Sequence, residues 1–554
     1  MNYIYCMKQS IVLEHSKIFH TKNQSLSEII SQLPKTKSLI IISEYNAKIF
    51  QLENNQPLQI EILNQWRKSL SLGTNYRLNA YLSQIRKRNP KSGFVFFNNL
   101  SSLLLINLLL QSNNNETRDL NDKEIELLFE AYLLCSEMWT HKQYNNIKEE
   151  KDENIKIQKL ITSNISLGEF LRTNLFHLKI IKSIYLFKFL SNENYSTILS
   201  DFLKLYECES WQEYLRKTLV PIISLTIPDS PSKSNLSTQN SPIQFNNFLD
   251  KLCINNHTQN IKDTFNFITL RNYPIYKVNE FSYLFMNYHF AFEKMFEAMI
   301  FNISEVATKR NNYERVMDAR KDIFSQNFYE GYFLKKICNK FKSFNWIKIE
   351  YIFDEDSNKN HQSPDIIIDC PKCIFIIEFK DILLNDADKL SFDSEKIEDA
   401  ILKKLWQNEK GKFRGAGQIA SYLNKTTQHK NEKKKIYPIV IVTDRNYCRD
   451  GANLLLNNFF MKELNEETKK STQSLTLIHL DTILEIIDLL LSNPSFFKSI
   501  IDEYHKKIRN EKVLLNKLWN FDDFVEKKIR SNNNHSLIKK AFIDIIEDFD
   551  SYKI

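Results

Sequence analysis

Apolar and polar positions along the chain fall into distinct regimes. Over residues 76–225 apolar residues recur at helical spacing, as in Glu124 to Trp139, Leu167 to Leu190 and Tyr195 to Tyr206. Such a repeat marks an amphipathic helix, and the polar breaks at Ser112 to Glu116 and Tyr144 to Asn154 predict loops. Residues 1–75 read as a small mixed region, with Ser38 to Ser43 as a strand and Ala47 to Glu53 as its hairpin partner. Phe94 to Leu110 is the most apolar stretch of this half. Asn98, Asn99, Ser101, Ser102 and Asn107 interrupt it, and it falls short of the ~20 residues a membrane helix needs. It predicts a buried helix, or a strand followed by a helix. Pro228 to Pro242 is rich in Ser, Asn and Pro, which predicts a linker or disordered loop over residues 228–245. Beyond it, Phe281 to Ile303 reads as an aromatic helix and Ala307 to Phe324 as a second one, and residues 246–316 read as a helical connector.

From residue 317 the pattern shortens. Ile366 to Ile368 follows Pro364-Asp365, and Ile374 to Ile377 runs into Glu378-Phe379-Lys380. Short β-branched runs bounded by turn formers predict buried strands, and Asp369-Cys370-Pro371-Lys372 has hairpin chemistry. Alternation along a strand sends Glu378 and Lys380 to one face and Phe379 to the other. Asp365, Glu378 and Lys380 therefore meet at one end of a two-stranded hairpin. Phe328 to Phe341 predicts the helix before this sheet. Glu330 lies on its apolar stripe, with Leu334, Ile337, Cys338 and Phe341 at helical spacing from it. Trp346 to Phe353 predicts the first strand of the sheet, Ile436 to Val442 a central one, and Leu475 to Leu480 a fifth. Lys425 to Lys435 reads as a basic loop. Thr482 to Leu491 starts a helix, and residues 492–554 read as a charged helical extension.

Two carboxylates beside a lysine at the end of an apolar sheet are costly to bury. A divalent cation relieves that cost. Oxygen donors suit Mg²⁺, with Mn²⁺ as a substitute, and Mg²⁺ characteristically takes one or two carboxylates plus a substrate phosphate. A lysine at that position can orient water and offset phosphate charge, as metal-assisted phosphodiester hydrolysis requires.

Pro364-Asp365 and, after the hairpin, Glu378-Phe379-Lys380 resemble the motif of the PD-(D/E)XK nuclease superfamily. Gln418-Ile419-Ala420-Ser421-Tyr422 resembles the Gln-x-x-x-Tyr feature of its RecB-like members. The resemblance covers residues 317–491. It implies an α/β chain: a restriction-endonuclease-like αβββαβ core, with a mixed sheet flanked by helices, behind a mostly helical N-terminal region. It also implies a Mg²⁺-dependent nuclease with DNA ahead of RNA as substrate and internal ahead of end cutting. Asp365 and Glu378 would hold the metal and Lys380 would act on water. A helix acid, Glu330 or its rival Glu297, would be a further ligand. Lys410, Arg414, Gln418 and Tyr422, each four residues after the last, would form one helical stripe facing the substrate, with Arg414 on phosphate and Tyr422 stacking or hydrogen-bonding. By analogy, a large unassigned domain joined to such a nuclease suggests a defence or restriction role, with a second copy or a defence protein as candidate partner. Two other readings stay open. One is a nuclease-like fold that only binds nucleic acid. The other is an effector working through the N-terminal helices.

Composition changes this picture little. A 554-residue chain should hold two or three domains, and a net charge of +8 fits a nucleic-acid partner without requiring one. Gly415-Ala416-Gly417 lacks the pattern of a phosphate loop. The eight cysteines show no disulfide framework, and Met1 to Ser10 lacks the features of a signal peptide. Both point to a reduced, cytoplasmic protein. Cys370-Pro371-Lys372-Cys373 matches half a zinc site, but no second pair follows to complete four ligands, so it reads as a hairpin turn.

Overall fold

A computed structural model describes residues 11–19, 24–50, 55–88, 94–148, 150–166, 176–225, 233–261, 267–343, 347–351, 363–426, 434–493, 495–509 and 518–530. The chain divides into two compact units. One comprises Met1–Asn145, Arg172–Ser183 and Leu190–Arg310. The other comprises Asn146–Leu171, Ile184–Phe189 and Asn311–Ile554. The expectations for residues 51–53, 167–175, 228–232, 346 and 352–353, for most of the basic loop over 425–435, and for residues 510–517 and 531–554 lie outside the described residues.

The first unit is helical around an aromatic core. Phe97 and Tyr132 stack with centroids 4.8 Å apart, and Trp66 and Phe129 pack beside them at 5.3 Å. Strands β1 (Ile11–Val12) and β2 (Phe94–Val95) pair in parallel, and the helix Asn99–Gln111 follows, buried almost all round. The strand-then-helix alternative for Phe94 to Leu110 is the observed one. Among the described residues no helix is long and apolar enough to cross a membrane.

Several local expectations are corrected here. Ser38 to Ser43 is not a strand but part of the helix Lys35–Ile49, which also takes up Ala47 to Ile49 of its expected partner. Leu39, Ile42, Asn46 and Ile49 are buried at helical spacing, so burial over the whole segment overrides the β-branched run in its middle. The loop expected at Tyr144 to Asn154 shrinks, because one helix runs Asp122–Lys148 and the next starts at Glu153. Within the stretch read as a linker, Asn235–Ser237 forms β3. It pairs antiparallel with β5 (Ser282–Phe285), which pairs in turn with β4 (Ile275–Asn279). The aromatic segment Phe281 to Ile303 is therefore a strand followed by the helices Tyr288–Glu293 and Glu297–Asn311. Asn312, at φ 53°, ends the last of these, so Ala307 to Phe324 is not one helix.

The second unit is built on a mixed five-stranded sheet in the order β10–β9–β8–β7–β6. Strands β6 (Lys348–Tyr351), β7 (Ile366–Asp369) and β8 (Cys373–Lys380) form an antiparallel meander. β9 (Lys435–Val442) and β10 (Thr476–His479) add in parallel to β8. β8 is buried from Cys373 to Phe379 and β9 from Ile436 to Val442. Strands covered on both faces carry such unbroken apolar runs. The helix before the sheet winds as a π-helix over Arg320–Leu334 before the α-helical turn Lys335–Asn339. Of its stripe, Leu334, Ile337 and Cys338 are buried as the spacing predicts, while Phe341 is only half-buried, and the winding is wider than α.

Between β8 and β9 lie the helices Ser394–Leu405 and Gly415–Lys425. Two glycines fix the second one. Gly415 sits at φ 48°, and a Cβ on Gly417 would fall 2.3 Å from the Trp406 carbonyl oxygen and 2.8 Å from the Phe413 ring. Backbone cannot yield to that overlap cheaply. Gly417→Ala should therefore lower stability by about 1–3 kcal/mol, the usual cost of overpacking. A urea-unfolding midpoint unchanged from wild type would contradict this packing.

Candidate active site

The hairpin register fixes the centre of the site. Ile366 pairs with Ile377, so Asp365 arrives opposite Glu378. The Asp365 N–H donates to the Ile377 carbonyl at 3.1 Å, and the Phe379 N–H donates to Asp365 Oδ2 at 2.7 Å. Strand pairing thus continues through the Asp365 side chain, which locks its carboxylate beside the end of β8. Glu378 is fully buried, and one of its oxygens accepts from the Lys380 ammonium. The other oxygen, Oε2, has no hydrogen-bond partner.

A buried carboxylate oxygen without a donor is expensive, and the charges around Glu378 show it. Burial raises its pKa well above the ordinary value, the Asp365 charge adds to that, and Lys380 opposes it. Burial also raises Asp365, against Lys380 and the Phe379 N–H. Burial alone would lower Lys380, but Glu378, Asp365 and Glu330 outweigh it and hold the ammonium charged.

Glu330 belongs to the same electrostatic cluster. Burial pushes it up to about 7, with Asp365 and Asp381 acting in the same direction and Lys380 and Lys321 against. Tyr329, its neighbour on the π-helix, packs on Phe379 at 5.6 Å between centroids and seats this helix at the end of β8. Glu297 sits elsewhere, in the other unit. It is 41% exposed at the start of its helix and ion-paired with Lys179 and Lys182. Among the described residues no three His, Cys, Asp or Glu side chains form a ready-made metal-ligand set. Asp365 and Glu378 supply two carboxylates, one with an orphaned oxygen, which fits a hard cation completed by waters and a substrate phosphate.

Of the expected substrate residues, Gln418 reaches the site. Its side-chain amide donates to the Ser363 carbonyl at 2.7 Å, two residues before Asp365. The four-residue stripe is corrected at its start. The helix begins at Gly415, so Lys410 lies in a preceding turn and Arg414 is the extended N-cap, with its side chain exposed. Tyr422 is half-buried one turn beyond Gln418. Burial raises its hydroxyl, and the charge that acts on it is that of Glu350 on β6.

Sequence reasoning missed Asp381, read only as the first acid of a solvated run. Its carboxylate is fully buried and accepts from Arg320 Nη2 at 2.8 Å, Ser325 Oγ at 2.6 Å and Thr443 Oγ1 at 2.6 Å. It ties the π-helix that carries Glu330 to the ends of β8 and β9. Its position directly after Lys380 was the one available signal.

Comparison of the chain with family models, curated proteins and solved structures finds no match. Any reading of the site therefore rests on its geometry.

The raised Glu330 makes a pH prediction. Between about pH 4.5 and 7 the folded chain keeps a proton on Glu330 that the unfolded chain has released. Stability should therefore fall as pH rises through that window. Glu330→Gln cannot titrate and should flatten the slope of unfolding free energy against pH there. Some slope should remain, because Asp365 and Glu378 are raised too. An identical slope in the variant would place Glu330 outside the cluster.

Proposed function

We propose that the chain is a metal-dependent nuclease of the PD-(D/E)XK type acting on DNA, with Asp365, Glu378 and Lys380 as its chemical centre. The observation that carries the reading is the buried, orphaned Glu378 oxygen beside Asp365, with the Lys380 ammonium against the other Glu378 oxygen. The element order supports the finer fold assignment: helix, antiparallel β6–β7–β8, helices, then parallel β9.

In this reading Asp365 and Glu378 hold Mg²⁺, with Glu330 beside them. The cation supplies Lewis-acid polarisation of the scissile phosphate. The side chains do the rest. Lys380, partly open to solvent with its charge held on, offsets negative charge as it builds on the phosphate. Glu330, half-protonated near neutral pH, can hold or release a proton at the site. Gln418 fixes the Ser363 carbonyl and so the approach of Asp365. Arg414, exposed at the start of the same helix, is available to phosphate oxygens.

A second reading is a nuclease-like protein that binds nucleic acid without cutting it. The ion pair that already occupies one Glu378 oxygen favours it, because that oxygen is then not free for a metal. Lys380→Ala separates the two. On the proposed function it should lower cleavage of plasmid DNA in Mg²⁺ by roughly two orders of magnitude, the scale for losing one well-placed polar group. Binding of the same DNA in Ca²⁺ should stay near wild type. If wild-type cleavage persists in excess EDTA, or if the variant cuts normally, the proposal fails.

A further inference from the structure

The hairpin that carries Asp365 and Glu378 has a second chemical feature at its opposite end. Continuing the register Asp369↔Ile374 by one step sets Cys370 directly across from Cys373, with only Pro371 and Lys372 between them. The Cys370 N–H donates to the Cys373 carbonyl at 2.9 Å. Hydrogen-bonded antiparallel pairs hold their Cα atoms about 5.5 Å apart, inside the ~4.4–6.8 Å span that a disulfide bridges. The side chains of such a pair share one face of the hairpin, and the two thiols are near enough to shift each other's titration. Pro371 and Lys372 are exposed, so the thiols lie just beneath an open turn.

We propose that Cys370 and Cys373 form a redox-active dithiol, oxidised to an intramolecular disulfide by small aliphatic disulfides of the glutathione kind. The Cys373 thiolate attacks one sulfur of the external disulfide and expels a thiolate, which takes up the proton that Cys373 gave up. The mixed disulfide on Cys373 is then attacked by Cys370 through its own thiolate, expelling the second small thiol. The protein loses two electrons and two protons, and the external disulfide is reduced to two thiols.

The environment supports this order of attack. The Cys370 thiol beside it lowers the Cys373 thiol below its ordinary value against burial, and Lys498 helps. Elsewhere burial pushes Cys208, Cys253 and Cys338 up to about 12, which keeps them as unreactive thiols. The inference is independent of the nuclease reading, because it uses no residue of that site.

The test uses the whole chain. It is incubated natively with mixtures of oxidised and reduced glutathione, quenched by alkylation, and mapped by peptide mass spectrometry. The peptide holding Cys370 and Cys373 should lose the mass of two hydrogens before any of the buried thiols Cys135, Cys208, Cys253, Cys338 and Cys448 is modified. Cys370→Ser should stop at a stable mixed disulfide on Cys373. Cys373→Ser leaves Cys370 without a partner, so it can form at most a mixed disulfide and never the internal one. The proposal is overturned if the wild-type pair stays reduced while other cysteines react. It is equally overturned if a mixed disulfide accumulates there without closing. The wild-type map decides the matter even if a variant fails to fold.

Discussion

The second unit depends on the burial of Glu378. A carboxylate with no solvent exposure, one oxygen unpartnered and a second carboxylate opposite it cannot hold its charge without compensation. Lys380 supplies part of that compensation from two residues along the same strand. The rest is either a proton, which the raised Glu378 and Glu330 would accept, or a cation. Burial and charge push several carboxylates upward together here, a pattern shared by active sites and structural ion-pair networks.

The surrounding structure is arranged to keep this cluster in place. The Phe379 N–H holds Asp365 at the strand end, and the Gln418 amide holds the chain just before it. Asp381 gathers donors from the π-helix and from the residue after β9, so the helix bearing Glu330 and the two central strands meet at one buried carboxylate. π-Helical winding is uncommon and concentrates at functional sites, and here it occurs in the segment that delivers Glu330. Gly417 lets the Gln418 helix approach the Trp406 backbone more closely than any side chain would allow.

The parts legible in the sequence were those that local rules determine. Two short β-branched runs around Cys370-Pro371-Lys372-Cys373 specify a hairpin, and alternation then places Asp365, Glu378 and Lys380 together. The unbroken apolar run of β9 marks a central strand for the same local reason. Ser38 to Ser43 misled because four apolar residues in a row carry no period of their own. The burial of Leu39, Ile42, Asn46 and Ile49 across 15 residues settles the helix. The small sheet of β3, β4 and β5 was hidden because β3 is a three-residue strand in a polar stretch, and its partner, β5, is distant in the sequence. Asp381 was unreadable because its donors Arg320 and Thr443 lie 61 and 62 residues away. Only its place directly after Lys380 sets it apart from the acids that follow.

The proposed nuclease centre requires Asp365 and Glu378 to form a hard-cation site. A Mn²⁺ titration of the whole chain, read by electron paramagnetic resonance, tests it without reliance on turnover. The account predicts a bound-Mn²⁺ signal in the wild type that Glu378→Gln abolishes while the circular dichroism spectrum is unchanged. Equal Mn²⁺ binding by wild type and variant, or none by either, would contradict it.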